Sequence, residues 1–274
     1  MLENSSKNEN RTKKLAIPTW AWLIILPVWT YGVFVLVQFI LAWIAEGLIA
    51  VGVPLASMNQ VTFVTIISVL AYGLAVFFVV WLPYKLWGKR TTRKELGVPD
   101  LPVWMDIFLS VPAYIVYMIV SSIVMMIAVR TIPGLDITQA QELPFSQTML
   151  ATQWQITLAF VVMVILAPFA EELLFRGYLY GKLRRFAPAI GAILVTSLAF
   201  GAAHLWTGGS GPLQWAVALD TMVLSLMLCT LREYTGAIWA GVLVHAIKNG
   251  LAFYLLFINP NVIDQLQAGM LLLL

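Results

Sequence analysis

Apolar residues run along this chain in blocks rather than in alternation. Blocks of about 19 to 27 residues lie at 19–45, 61–84, 104–129, 155–180, 188–206, 213–231 and 236–258, separated by short polar segments. A run of about 20 apolar residues is what a helix needs to cross about 30 Å of hydrocarbon. In lipid only a helix or a closed barrel satisfies its own backbone. The pattern therefore predicts an all-α, polytopic transmembrane bundle of about seven spans. Residues 46–60 are too weakly apolar to span and are expected at the interface. The stretch 262–274 ends in four leucines but is too short to cross. The simplest division is a flexible cytoplasmic tail at 1–18, a transmembrane helical domain at 19–260, and a short C-terminal tail at 261–274. Both termini are expected outside the bilayer core.

Composition agrees with that reading. Of 274 residues, 61% are hydrophobic and only 11% charged, against about 25% charged in an ordinary soluble domain. Mean hydropathy is +0.89. The first apolar run is too long for the core of a cleaved signal peptide, and no small-residue cleavage site follows it. Cys229 is the only cysteine, so no intrachain disulfide is available. It is expected to be a buried small apolar residue. The sequons at Asn4 and Asn10 fall in a tail that the topology leaves cytoplasmic and unmodified.

The basic residues give the topology. Lys7, Arg11, Lys13 and Lys14 precede the first span. Lys85, Lys89, Arg90, Arg93 and Lys94 follow the second. Lys182, Arg184 and Arg185 follow the fourth, and Arg232 ends the sixth. These are thirteen of the sixteen Lys and Arg; the opposite loops hold only Arg130, and Arg176 and Lys248 fall within spans. By the positive-inside rule the N-terminus is cytoplasmic and the C-terminus outside. The setting expected is a bacterial plasma membrane. Trp20, Trp22, Trp81, Trp104, Trp154, Trp206 and Trp215 sit near span ends, as interfacial tryptophans do.

Ionisable residues inside spans are costly and need a reason. The fourth run contains Glu171, Glu172 and Arg176. Glu172 and Arg176 are four apart on one helix face, so they can neutralise each other. Glu171 is turned about 100° away and lacks that partner. A carboxylate in such surroundings suits a general base. Both histidines also lie in spans: His204 closes Phe200-Gly-Ala-Ala-His204, and His245 opens His245-Ala-Ile-Lys-Asn249. His245 and Asn249 share a face. Two histidines, an asparagine and an unpaired glutamate could activate a water directly or hold a metal. Asp220, within the sixth span, is a further candidate for the same cavity. Gly177 and Gly181 form a small-xxx-small pair that signals close helix packing.

Glu171-Glu172-x-x-x-Arg176, Phe200-x-x-x-His204 and His245-x-x-x-Asn249, in that order and in three separate apolar runs, resemble the three motifs of the CPBP family. That family comprises C-a-a-X prenyl endopeptidases and bacteriocin-processing or immunity-type intramembrane proteases. The resemblance covers about residues 155–258. It implies an intramembrane endopeptidase acting on a membrane-associated, in some cases prenylated, protein or peptide. It implies that Glu171 and His204 activate the hydrolytic water, that His245 and Asn249 stabilise the oxyanion, and that Glu172 and Arg176 hold the geometry. A divalent metal such as zinc on Glu171, His204 and His245 is compatible with these residue types. Asn249, a poor zinc ligand but a good oxyanion donor, favours the metal-free reading. No nucleic-acid partner is expected, and the oligomeric state is left open. Lys248 is an unusual charge for a position inside the third motif. Two other classes stay in play: a catalytically idle immunity or scaffold protein, and a small proton- or ion-coupled transporter. Inverted repeats would mark a transporter, and none is visible.

One geometrical conflict stands in the sequence. Straight spans put Glu171 and His245 towards the cytoplasmic side, whereas His204 comes late in a span running outward. The three meet only if helices tilt or break, and Pro168 is the expected breaking point. The four site residues are expected around one cavity between the fourth, fifth and seventh spans.

Overall fold

The structure is a computed structural model describing residues 18–88, 90–137, 143–206 and 211–262. Residues 1–17 and 263–274, and with them most of the two expected tails at 1–18 and 261–274, lie outside the described residues, as do Lys7, Arg11, Lys13, Lys14, Lys89 and both sequons. Among those described there is no strand. Seven apolar helices make the bundle. They are α1 (Trp22–Ala50), α2 (Gln60–Trp87), α3 (Trp104–Thr131), α4 (Gln153–Leu183), α5 (Ala189–Ala203), α6 (Trp215–Thr235) and α7 (Trp239–Ile258). Six are long and apolar enough to cross a membrane; α5, with 15 residues, is not. At about 1.5 Å per residue α5 rises about 22 Å, short of the hydrocarbon thickness.

Local signals set the helix ends. Asn59 caps α2 by accepting from the Thr62 N–H at 3.2 Å. Thr152 and Gln155 form a capping box at the start of α4. Gly88 and Gly236 end α2 and α6 in the left-handed conformation, with φ 67° and 72°. The segment expected at the interface is taken up partly by α1, which continues to Ala50, and partly by a short turn at Leu55–Ser57.

α4 is the most deeply buried of the spans and forms the centre of the bundle. Around it stand α1, α2, α5 and α7, while α3 packs outside against α6 and α7. Large apolar side chains such as Phe108, Ile119 and Trp43 remain exposed on the periphery, as a lipid-facing surface requires. The largest buried cluster, with Leu26, Val79, Leu174, Leu183, Phe200 and Cys229, fills the half of the bundle nearest the basic loops.

That half is closed by the connection between α2 and α3. Its backbone lies directly on α4: a Cβ at Gly181 would stand 2.5 Å from the Glu95 carbonyl oxygen, and one at Gly177 would stand 2.8 Å from that of Leu96. The small-residue pair thus admits a loop backbone rather than a neighbouring helix. The Arg232 guanidinium donates to the Glu95 carbonyl at 3.1 Å, the Ile238 N–H to Gly97 O at 2.9 Å, and the Trp239 indole to Asp100 O at 2.8 Å. Glu95 also pairs with Lys182 and Arg185. Gly181→Ala must push this loop off the bundle, an overpacking that costs about 1–3 kcal/mol. The expected result is a lower melting temperature in detergent, measured by thermal unfolding of the purified protein; an unchanged melting temperature would mean that the loop does not bear on α4.

Candidate active site

The site begins with a fault in α4. Two stretches of it, Val161–Leu166 and Leu173–Leu179, are wound as π-helix, a form that concentrates at functional sites. The first is explained by Pro168. The Ala167 N–H bonds to Val162 O, five residues back. In that register the next donor would be residue 168, and proline has no N–H. The Met163 carbonyl is then left for another partner. It takes the side-chain amide of Asn249, which donates to it at 2.9 Å. The proline expected to break the fourth span therefore does so without bending it apart, and α7 repairs the break.

The second fault carries the charges. Glu172 and Arg176 are both 0% exposed and pair at 2.8 Å. The Arg176 guanidinium lies over the Phe200 ring, 4.2 Å from its centroid. The His245 Nδ1–H donates to the Glu172 carboxylate at 3.2 Å. Gly241, one turn before His245, makes room for this: a Cβ there would meet Glu172 Oε2 at 3.0 Å. The i, i+4 pairing read from the sequence is present, and His245 joins it as a third member.

Glu171 points the other way, as the helical rotation requires. Its Oε1 accepts from the Tyr72 hydroxyl at 2.9 Å, and its Oε2 faces two imidazoles, His245 Nε2 at 3.8 Å and His204 Nε2 at 3.9 Å. His204 caps α5 and donates from Nδ1 to the Phe200 carbonyl at 2.8 Å. With Nδ1 donating, the neutral ring turns its Nε2 lone pair towards Glu171. His204 reaches the level of Glu171 because α5 stops after 15 residues, and this removes the conflict of depth seen in the sequence.

Glu171, His204, His245 and Asn249 all line one cavity of about 670 Å³. Its walls differ from those expected. Besides α4, α7 and the end of α5, it is lined by α1 through residues such as Leu41 and Glu46 and by α2 through Ile67 and Tyr72. Tyr72 is the site residue that sequence reasoning missed. Its only signal was a hydroxyl placed mid-run in an apolar span, and nothing in sequence spacing ties α2 to α4. Asp220 does not line the cavity but holds a residue that does. It accepts from Tyr117 at 2.8 Å and from Ser121, and pairs with Lys248 at 3.4 Å. The odd charge in the third motif is therefore neutralised from α6.

Tetrahedral zinc ligands at about 2.0–2.2 Å from the metal stand about 3.4 Å apart. The separations of 3.8 and 3.9 Å from Glu171 are wider, and no group of three His, Cys, Asp or Glu among the described residues has metal-holding geometry. As arranged, the three would have to close in by about 0.5 Å to hold zinc. The same spacing admits a water hydrogen-bonded between carboxylate and imidazole.

Fold and site together define a polytopic helical membrane protein with a polar, solvent-sized chamber built on three charged or polar motifs. Residues 153–251 match the family model of the Rce1-like type II CAAX prenyl endopeptidases, in line with the three motifs. That range takes in α4 to most of α7 and leaves out α1, α2 and α3. No curated protein and no solved structure matches the chain.

Removing one member of a buried ion pair strands the other and typically costs about 3–5 kcal/mol. Arg176→Ala is therefore expected to reduce the yield of folded, monodisperse protein in size-exclusion chromatography, with any activity falling alongside. A variant that folds like the wild type would instead give Arg176 a role at the substrate. Asn249→Ala leaves the Met163 carbonyl unpaired, which costs about 1–3 kcal/mol. A measurable drop in thermal stability is expected, and its absence would show that the repair of α4 does not depend on this amide.

Proposed function

We propose that this protein is an intramembrane endopeptidase that hydrolyses a peptide bond of a membrane-associated protein or peptide with a glutamate-activated water. The observation that carries the reading is the convergence of Glu171 Oε2 and the Nε2 atoms of His204 and His245 within 3.9 Å, in one cavity inside a bundle.

A water held between Glu171 Oε2 and the free lone pair of His204 Nε2 has a base on its outer side. As its oxygen attacks the peptide carbonyl, Glu171 takes the proton, and the same proton can return to the leaving amine. Tyr72 holds the carboxylate by its other oxygen, which fixes the direction of Oε2. The carbonyl oxygen becomes an oxyanion and needs donors. Asn249 uses one amide hydrogen on Met163 O and keeps the second for this role. His245, with Nδ1–H on Glu172, donates from Nε2 when its ring carries both protons. Glu172 and Arg176 position His245 and do not touch the substrate. The orientation we assign is N-terminus cytoplasmic, in a bacterial plasma membrane, on the one-sided distribution of basic loops.

The test is cleavage of a fluorogenic apolar peptide by purified protein in detergent. Glu171→Gln keeps the size and the Tyr72 contact but removes the base, and a positioned base contributes about 10²–10⁴ in rate. We expect activity to fall by that factor or more and to survive exhaustive chelation. A Glu171→Gln variant as active as wild type would remove the hydrolase reading. Loss on chelation with recovery on zinc would replace the glutamate mechanism by a metal one.

A further inference from the structure

We infer that the active-site cavity opens on the side of the membrane opposite the basic loops, so that the substrate is the extracytoplasmic end of an exported or membrane-anchored protein. This deepens the endopeptidase reading and rests on it for the word substrate. It does not rest on it for the direction of access.

The argument starts from which part of each helix lines the cavity. From α1 the lining residues run from Phe34 to Ile49, the half remote from the basic N-terminal segment. From α2 they run from Phe63 to Tyr72, again the half remote from the basic loop that follows Tyr84. From α4 they stop at Glu171, well before Lys182 and Arg184. From α6 only Thr221, near its start, takes part, and from α7 the lining runs from His245 towards Leu256, away from Arg232. Leu143 and Pro144, in the connection between α3 and α4, also contribute. Every one of these halves lies on the same side of the bundle.

The other side is shut. The largest buried cluster fills it, with Ala75, Val79, Leu179 and Leu183 essentially unexposed. Trp22 stacks on Phe186 at 5.3 Å, and the Trp29 indole donates to Val79 O at 3.2 Å. Beyond this core the α2–α3 connection lies on α4 in backbone contact and is fastened by Arg232, Ile238 and Trp239. A polypeptide coming from the basic side would have to displace both layers to reach Glu171. From the far side it meets instead a largely apolar cavity bounded by α1, α2, α4 and α7, with Gln38 and Glu46 exposed at its edge and Lys248 within. By the positive-inside rule the basic side is cytoplasmic, so the open side is extracytoplasmic. A prenylated C-terminus held at the cytoplasmic leaflet would face the closed side.

Thiol labelling in sealed vesicles tests this. Gln38→Cys marks the cavity edge and Arg93→Cys the basic loop, while buried Cys229 should label from neither side. The probe is a membrane-impermeant maleimide added to right-side-out or inverted vesicles. We expect Gln38→Cys to label at least tenfold faster in right-side-out vesicles, with Arg93→Cys showing the reverse. If Gln38→Cys labels together with Arg93→Cys, or from neither side, the inference is overturned. Peptide cleavage in detergent, where sidedness vanishes, separates the two readings. Protein active in detergent but labelled only from the basic side overturns the access inference alone. Inactive protein labelled as expected overturns the substrate assignment and leaves the direction of opening.

Discussion

A glutamate and an arginine with no exposed surface, four residues apart in the middle of a membrane helix, set the terms for everything around them. Each charge alone in such a place would cost several kcal/mol, so the bundle is arranged to keep them together. Arg176 uses the carboxylate and the face of Phe200. Glu172 uses Arg176 and the Nδ1–H of His245, and Gly241 lets α7 come close enough for that bond. Phe200 touches Arg176 with its ring and holds His204 with its carbonyl. The pair thereby fixes α5 and α7 against α4, and it orients both histidines before any substrate is considered.

The same helix pays for its polar content by departing from α geometry. Pro168 removes a donor, the register slips to π, and a carbonyl is freed at Met163 that only a side chain from another helix can meet. Asn249 meets it. An asparagine that the chemistry would place at an oxyanion is thus tied first to the backbone of α4, and that tie settles where its remaining N–H can point. Tyr72 does the equivalent for Glu171. The reactive groups are held by partners that take up their other valences, the kind of support a preorganised site requires.

Close packing and open space are divided between the two ends of the bundle. The end with the basic loops contains the main core and the backbone contacts at Gly177 and Gly181. The other end contains the cavity. α1 and α2 serve both: their basic-side halves pack into the core, and their far halves line the chamber, with the start of α2 at Val61 packed on Ala159 and Val162 of α4. These two helices lie outside the segment matched by the Rce1-like family model.

Much of this was legible in order along the chain. Runs of apolar residues specify membrane helices because hydrocarbon leaves the backbone few alternatives. The i, i+4 rule paired Glu172 with Arg176 and turned Glu171 away, since both follow from 3.6 residues per turn. Three polar motifs in three runs marked the site because such residues are expensive in lipid. What sequence spacing does not contain is distance between helices. It gave no hint that α2 supplies Tyr72 to Glu171, that Asp220 reaches the site only through Lys248, or that Gly177 and Gly181 receive a loop rather than a helix. It left the depth of His204 in conflict because an apolar run of nineteen residues, 188–206, looks long enough to span, whereas the helix begins at Ala189 and ends at Ala203. Helix content and sidedness are local properties of the chain; which carboxylate meets which imidazole, and on which side the chamber opens, depend on how seven helices pack, and only the tertiary structure decides that.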